Sequence, residues 1–276
     1  MRYKKANRIM MIAVSLLLAL VLLTTCVLSG IYAKYVTQSE VPTKIVIKKL
    51  GLTINVKEND TVISKVQETK QGNFVSLTYS SFNIRPGVEE NGLIKFFISG
   101  TPTVPVRVTV RVNVTTDERC MVPESVTLNS NDTDAVYIPF TFKVGTVSES
   151  WGVGNLAVVA GAPFSAASCA ELDEQIESAV AESIKTRMNS DTAVANDANG
   201  YYVSKDFTRD ANGNVAPIAF NSSDRKGIAF GFKWPIDAND KSSDDDLIET
   251  YLAKKFGTDG VPLTFTFTVS IEQIGA

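Results

Sequence analysis

Alternation of apolar and polar residues with a period of two is the dominant pattern along this chain. Val104–Val114 reads VPVRVTVRVNV, with valine at every even position and mostly polar residues between. Pro262–Ile271 (PLTFTFTVSI) repeats the pattern with larger apolar residues. Such alternation is typical of antiparallel strands that face a core on one side and water on the other. Further strands are predicted at Lys44–Val56, Phe74–Tyr79, Leu93–Ile98, Tyr137–Val144, Leu156–Ala160, Tyr201–Asp206 and Gly227–Trp234.

Two segments carry helical spacing instead. Ser168-Cys-Ala-Glu171 has the spelling of a capping box, and apolar residues follow it at helical intervals as far as Met188. Three acids, Asp244–Asp246, open a second segment that ends in Lys254-Lys255. Acids at the start and lysines at the end match the dipole of a helix.

These elements predict a mainly β fold, an antiparallel β-sandwich or jelly roll with two short flanking helices. No linker, charge block or fixed-period repeat divides the chain after residue 33. We therefore expect residues 34–276 to form a single β-sandwich domain with helical insertions near 168–189 and 244–256.

Residues 1–33 have the layout of a secretory signal peptide. Met1–Arg8 contains four basic residues and no acid, and Ile9–Leu23 is apolar apart from one serine. We expect cleavage after Ala33, which leaves Lys34 as the new N-terminus. Two alternatives stay open, an uncleaved membrane anchor and a lipoprotein attached at Cys26. In each case the body of the protein is exported, and it meets the membrane only through its N-terminal segment.

Composition excludes several classes of function. The 276 residues are 44% apolar and 21% charged, as in ordinary globular proteins, and they include no histidine. A Ser-His-Asp triad, a Cys-His pair and a His-ligated zinc site are therefore excluded. Removal of residues 1–33 takes away four basic residues and no acid, which moves the net charge from −3 to −7. This acidic balance gives no reason to expect nucleic acid as a partner.

Calcium is the one cofactor for which the chain offers candidate ligands. Oxygen ligands that calcium accepts are concentrated between two predicted elements, at Asp237, Asn239, Asp240 and Asp244. A solvated loop that leads into a helix explains the same residues. Asp197-Ala-Asn-Gly200 and Asp210–Asn214 also resemble the start of calcium loops, although Asn-Gly is a strong hairpin-turn signal. We therefore predict no resident cofactor and keep calcium as the alternative.

The remaining candidates are two cysteines and two tryptophans. Cys120 and Cys169 are the only thiols left after signal removal, and they either form a disulfide or stay as two buried thiols. At the first turn of a helix, Cys169 is expected to be acidic. Trp151 and Trp234 either stack on sugars or belong to the core.

The junction Ser29–Thr37 (SGIYAKYVT) resembles the processing region of the TasA/camelysin family of Gram-positive surface proteins. Signals of that family end in Gly-Thr-aromatic-Ala followed by an aromatic residue, and a signal peptidase of the SipW type cuts them. Gly30, Tyr32, Ala33 and Tyr35 match this tract, while Ile31 replaces the threonine. As in the family, a short polar segment then leads into a first strand.

The resemblance implies a jelly-roll subunit that polymerises into extracellular matrix fibres. Some family members have been called metalloproteases, but the absence of histidine argues against that activity here. We therefore expect a secreted, non-enzymatic subunit of a cell-surface or biofilm-matrix fibre, with itself, related subunits and the signal peptidase as partners. The alternative is a membrane-anchored monomeric module that binds a ligand or adheres to a surface.

The segment that signal cleavage would free suggests how such subunits join. Cleavage frees the segment Lys34–Val41, in which Tyr35, Val36 and Thr37 favour a β-strand. This short strand is predicted to add to an open sheet edge of a neighbouring subunit. A disordered lead-in or an edge strand within the same subunit is the alternative.

Overall fold

The predicted alternating strands form the centre of two facing sheets in the computed structural model. The structure describes residues 50–58, 61–63, 67–68, 72–82, 87–122, 135–138, 141–161, 164–190, 194–221, 225–234, 244–256 and 261–275. Valines 106–114 are buried at every even position, as predicted, and residues 263–271 are buried at every odd position. The prediction of a mainly β, antiparallel sandwich with two helices is confirmed for these residues.

The first six-stranded sheet has the order β10-β9-β14-β5-β1-β2. All of its pairs are antiparallel. Its strands are β1 (Leu52–Glu58), β2 (Thr61–Ile63), β5 (Glu89–Gly100), β9 (Thr141–Ser148), β10 (Val153–Val158) and β14 (Arg225–Lys233).

The second six-stranded sheet has the order β12-β13-β6-β15-β4-β3, and a three-stranded sheet has the order β11-β8-β7. The six strands are β3 (Gln67–Glu68), β4 (Gly72–Phe82), β6 (Val106–Thr116), β12 (Ala195–Asp197), β13 (Gly200–Phe207) and β15 (Val261–Gln273). The three are β7 (Met121–Val122), β8 (Ala135–Ile138) and β11 (Phe164–Ala166).

Phenylalanine rings join the two large sheets. The ring centroid of Phe265 in β15 lies 4.9 Å from that of Phe142 in β9 and 4.8 Å from that of Phe230 in β14. Phe230 also lies 4.9 Å from Phe267. Because all four side chains are almost fully buried, they form the middle of the core between the sheets.

Helix α1 (Cys169–Met188) begins and ends where its sequence signals place it. The Ser168 side chain accepts a hydrogen bond from Glu171 N, and Asn189 ends the helix in the left-handed conformation. Near its end Arg187 Nε donates to Val144 O of β9 at 3.3 Å, while Met188 O accepts from Lys205 Nζ of β13 at 3.0 Å. The helix therefore connects strands of both large sheets. Helix α2 (Asp244–Phe256) also agrees with its prediction.

Several of the predicted strands have different bounds in the structure. Tyr137–Val144 was predicted as one strand, but it divides into β8 and β9, which belong to different sheets. Pro139 lies between them, and proline cannot donate a hydrogen bond to a sheet ladder. The strand predicted at Leu156–Ala160 begins three residues earlier, at Val153. Residues 50–276 form one compact unit, and the first part of the predicted strand Lys44–Val56 lies outside the described residues.

Candidate functional site

The candidate site is the edge of the first sheet that β10 forms. One side of β10 pairs with β9, from Val153 opposite Val147 to Val158 opposite Lys143. In the described part of the chain, no strand pairs with its other side. The other edge strands of the described sheets span two or three residues each, whereas β10 spans six. Among these strands, β10 offers the longest row of main-chain groups to a partner.

The side chains of β10 leave this edge weakly protected. Natural sheets commonly protect an edge with lysine, proline or a bulge. β10 reads VGNLAV, without a charge or a proline, and Val158 is 54% exposed. Two features protect its first half: a register shift lies between Gly154 and Ala157, where Asn155 has φ 50°, and the Arg225 guanidinium lies against Gly154. The residues after this bulge, Ala157 and Val158, form the part of the edge best suited to regular pairing.

Trp151 anchors the hairpin that positions β10. Its N–H donates to Ser148 O at 2.9 Å, and its φ of 66° lies in the left-handed region, which a bulky residue rarely adopts. The indole packs edge-on against Phe97, with centroids 4.6 Å apart, and Lys57 Nζ lies 5.3 Å from the ring centre. These contacts offset a backbone cost of about 1–3 kcal/mol. Trp151 is thus half-buried on the outer face of the sheet, whereas Trp234 belongs to the main core.

Two carboxylates of α1 cover the end of β6, a role that the sequence analysis missed. β13 pairs with β6 only as far as Val112. Beyond that point Glu177 Oε1 accepts from Val114 N at 2.7 Å, and Asp173 Oδ1 accepts from Thr116 N at 2.8 Å. The carboxylates thus replace the missing strand as acceptors. The sequence feature that could have indicated this role is the spacing of Asp173 and Glu177, which lie one helical turn apart beside the apolar positions of α1.

Burial raises the pKa of both carboxyl groups, although the hydrogen bonds that they accept act in the opposite direction. The charges of Asp173 and Glu174 raise the pKa of Glu177 further. A raised carboxyl pKa is common at catalytic sites. Here, however, each carboxylate already binds a main-chain N–H, so the pair holds a strand in place.

The two segments that resemble calcium loops both form turns. Asp197 pairs with Arg111 at 2.6 Å and accepts from Asn199 N at 2.9 Å. In the second turn, Asp210 Oδ1 accepts from the N–H groups of Asn212 and Asn214, each at 2.9 Å. Within the described residues, no group of three or more acids or cysteines is arranged to hold a metal ion.

Most of the site residues predicted from the sequence lie outside the described residues. These are the cleavage residues Ala33 and Lys34, the strand residues Tyr35, Val36 and Thr37, and the acidic-loop residues Asp237, Asn239 and Asp240. Asp244 is the first residue of α2. None of the described helices is long and apolar enough to cross a membrane.

The two cysteines are described, and both thiols are free. Cys120 is buried and Cys169 is half-buried. The expectation of an acidic Cys169 is wrong, because burial raises its pKa and the nearby carboxylates of Asp173, Glu118 and Asp117 raise it further. Cys120 has a pKa of about 12, caused first by burial and then by the charge of Cys169.

Comparison of the chain with protein-family models, with curated proteins and with solved structures finds no match.

Proposed function

We propose that this chain is an exported, non-enzymatic structural subunit of an extracellular surface or biofilm-matrix fibre, similar to the TasA/camelysin family. The observation that carries the proposal is the weakly protected edge β10. Strand addition between proteins requires an edge with unpaired main-chain groups, and alternate side chains then supply specificity. Ala157 and Val158 follow the bulge, carry no charge and meet these requirements, and Val158 is exposed.

The order of the strands supports a jelly roll. From β4 to β15 the longer strands pass from one large sheet to the other at each step except from β9 to β10, with β4, β6, β13 and β15 in one sheet and β5, β9, β10 and β14 in the other. Alternation of strands between two facing sheets is typical of a jelly roll, although each sheet here has six strands, whereas a jelly roll has eight strands in total. The resemblance of the signal junction implies the same architecture.

The proposed occupant of the edge is the segment Lys34–Val41 of a neighbouring subunit. Tyr35, Val36 and Thr37 favour an extended strand, and Pro42 would end the pairing. Signal cleavage after Ala33 would release this segment from the membrane. Assembly would thus follow processing and would need no cofactor.

Deletion of Lys34–Glu40 from the mature protein tests donation of the strand. We expect the deleted protein to remain folded and monomeric, whereas the full mature protein forms fibres. Circular dichroism checks the fold, and light scattering with electron microscopy measures assembly. Fibres that form normally after the deletion would contradict strand donation.

Val158→Lys tests the proposed acceptor edge. A lysine there adds a charge to the edge and should abolish fibre growth without unfolding the subunit. The matched control is Leu247→Lys, because Leu247 is 44% exposed but lies on α2. Equal loss of assembly in both variants would contradict a specific role for β10. A monomer that stays membrane-bound at full length would instead support the anchored binding module.

A further inference from the structure

Cys120 and Cys169 lie on two segments that the structure brings together. Cys120 ends a short 3-10 helix (Glu118–Cys120) directly after β6, and Cys169 is the first residue of α1. Thr116 N, just before the short helix, donates to Asp173 Oδ1 at 2.8 Å. Asp173 lies one turn after Cys169, on the same side of α1. This hydrogen bond therefore holds the first turn of α1 against the segment that ends in Cys120.

Packing and charge place the two thiols in one neighbourhood. Cys120 is part of the main apolar cluster, and Cys169 packs against that cluster from its edge. The carboxylates of Asp117 and Glu118, which precede Cys120, raise the pKa of Cys169. The charge of Cys169 in turn raises the pKa of Cys120. Cys169 thus faces the turn that contains Cys120.

We propose that Cys120 and Cys169 form a thiol-modification site that closes to a disulfide when the chain meets a disulfide oxidant. Half-buried Cys169 reacts first. Its thiolate attacks the oxidant RSSR, which gives a mixed disulfide and releases one RS⁻. The thiolate of Cys120 then attacks Cys169 Sγ, forms the intramolecular S–S bond and releases the second RS⁻. Both thiol protons leave with the two released RSH molecules, and the oxidant takes up the two electrons.

The crosslink would fasten the start of α1 to the end of β6. It would close a loop between two residues 49 positions apart in the sequence. In the chain-entropy model, a disulfide that closes such a loop raises the melting temperature of a domain as large as this one by roughly 10 °C. Because a thiolate is the attacking species and both thiol pKa values are raised, closure should be slow at neutral pH and should accelerate roughly tenfold per pH unit. This inference does not depend on the proposed fibre function.

Oxidation of the purified mature protein (residues 34–276), in which Cys120 and Cys169 are the only cysteines, with glutathione disulfide tests the proposal. Thiols are then labelled in denaturant without reductant, and peptides are analysed by mass spectrometry. We expect the mass of the protein to fall by that of two hydrogen atoms, and we expect to detect a peptide that links Cys120 to Cys169. The melting temperature should rise, and reductant should reverse that rise. Cys169→Ser is the matched control, because a small polar side chain suits a half-buried site, and oxidation should leave its melting temperature unchanged.

Other products would overturn the proposal. A stable glutathione adduct on Cys169 beside an unreacted Cys120 would mean that the two sulfurs cannot meet. A crosslink between two chains through Cys169 would lead to the same conclusion. Complete labelling of both thiols after oxidation at pH 9 would also overturn it, since both thiolates are then more populated. All of these measurements use protein with both cysteines in place. They therefore decide the question without a variant of Cys120, which is buried and whose substitution could prevent folding.

Discussion

At the residue scale, Glu177 and Asp173 show how burial and hydrogen bonding oppose each other. Each carboxylate accepts a main-chain N–H of β6 beyond the last residue that pairs with β13. Burial nevertheless raises the pKa of both groups above their ordinary values, because it disfavours the charged form. The folded state therefore holds protons on these groups at a pH where the unfolded state has lost them. Their contribution to stability is present at low pH and is lost as the pH rises through the raised pKa.

Glu177→Gln and Glu177→Ala separate these two effects. Gln keeps an oxygen for Val114 N and removes the titration, so unfolding at pH 7 should require as much free energy as in the wild type, within about 1 kcal/mol. Ala leaves Val114 N without this acceptor and should cost about 1–3 kcal/mol. Urea unfolding at pH 4.5 and pH 7 measures both variants. If Gln destabilises the protein at pH 7 as much as Ala, the acceptor role of Glu177 is wrong.

At the scale of single elements, β14 owes its place in the middle of the first sheet to a glycine. Gly227 lies opposite Phe97 on β5 and Val147 on β9. A Cβ at this position would fall on the carbonyl oxygen of Phe96. A larger residue would therefore push β14 away from β5 and from the ring of Phe97, on which Trp151 packs.

Gly227→Ala should destabilise the protein by about 3 kcal/mol, at the upper end of overpacking costs, because backbone must move to admit the methyl group. The control is Gly213→Asn. Gly213 has φ 81° and no atom near its missing Cβ, and asparagine tolerates the left-handed region. We expect the control to cost less than about 1 kcal/mol. Chemical denaturation compares the two, and a similar loss in both would contradict the packing argument.

At the scale of the whole molecule, the contact between the sheets depends on few large side chains. Phe142 and Phe230 come from the first sheet, and Phe265 and Phe267 come from the second. Phe265 contacts the rings of the other three. Protein interiors are closely packed, so the loss of one such ring leaves a cavity that its neighbours fill only in part.

Phe265→Ala should therefore lower the free energy of unfolding by about 3–5 kcal/mol. Its matched control is Thr266→Ala, one position along β15 on the opposite face. The Thr266 hydroxyl lies 3.1 Å from the Thr78 hydroxyl on an exposed surface, so the control should cost under about 1 kcal/mol. Urea unfolding of both variants checks the difference. Equal losses would show that β15 contributes similarly through both of its faces.

Elements whose signals lie within a few residues of one another could be predicted from the amino-acid sequence. Alternation alone was enough to identify β6 and β15 with the correct inner face, since successive side chains of a strand point to opposite sides. The Ser168 cap and the helical spacing that follows it were likewise enough to place α1. The signal junction, the strand residues 35–37 and the acidic loop near Asp237 remain predictions, because they lie outside the described residues.

Which distant residues meet became known only from the three-dimensional fold. It separated β8 from β9 into different sheets and left β10 at an edge. It also brought Asp173 and Glu177 to β6 and placed Cys169 beside the turn that ends in Cys120. No local pattern encodes these outcomes, because each depends on contacts between residues that are far apart in the sequence. Whether an edge is open or a carboxylate is buried depends on the neighbours that the whole fold supplies.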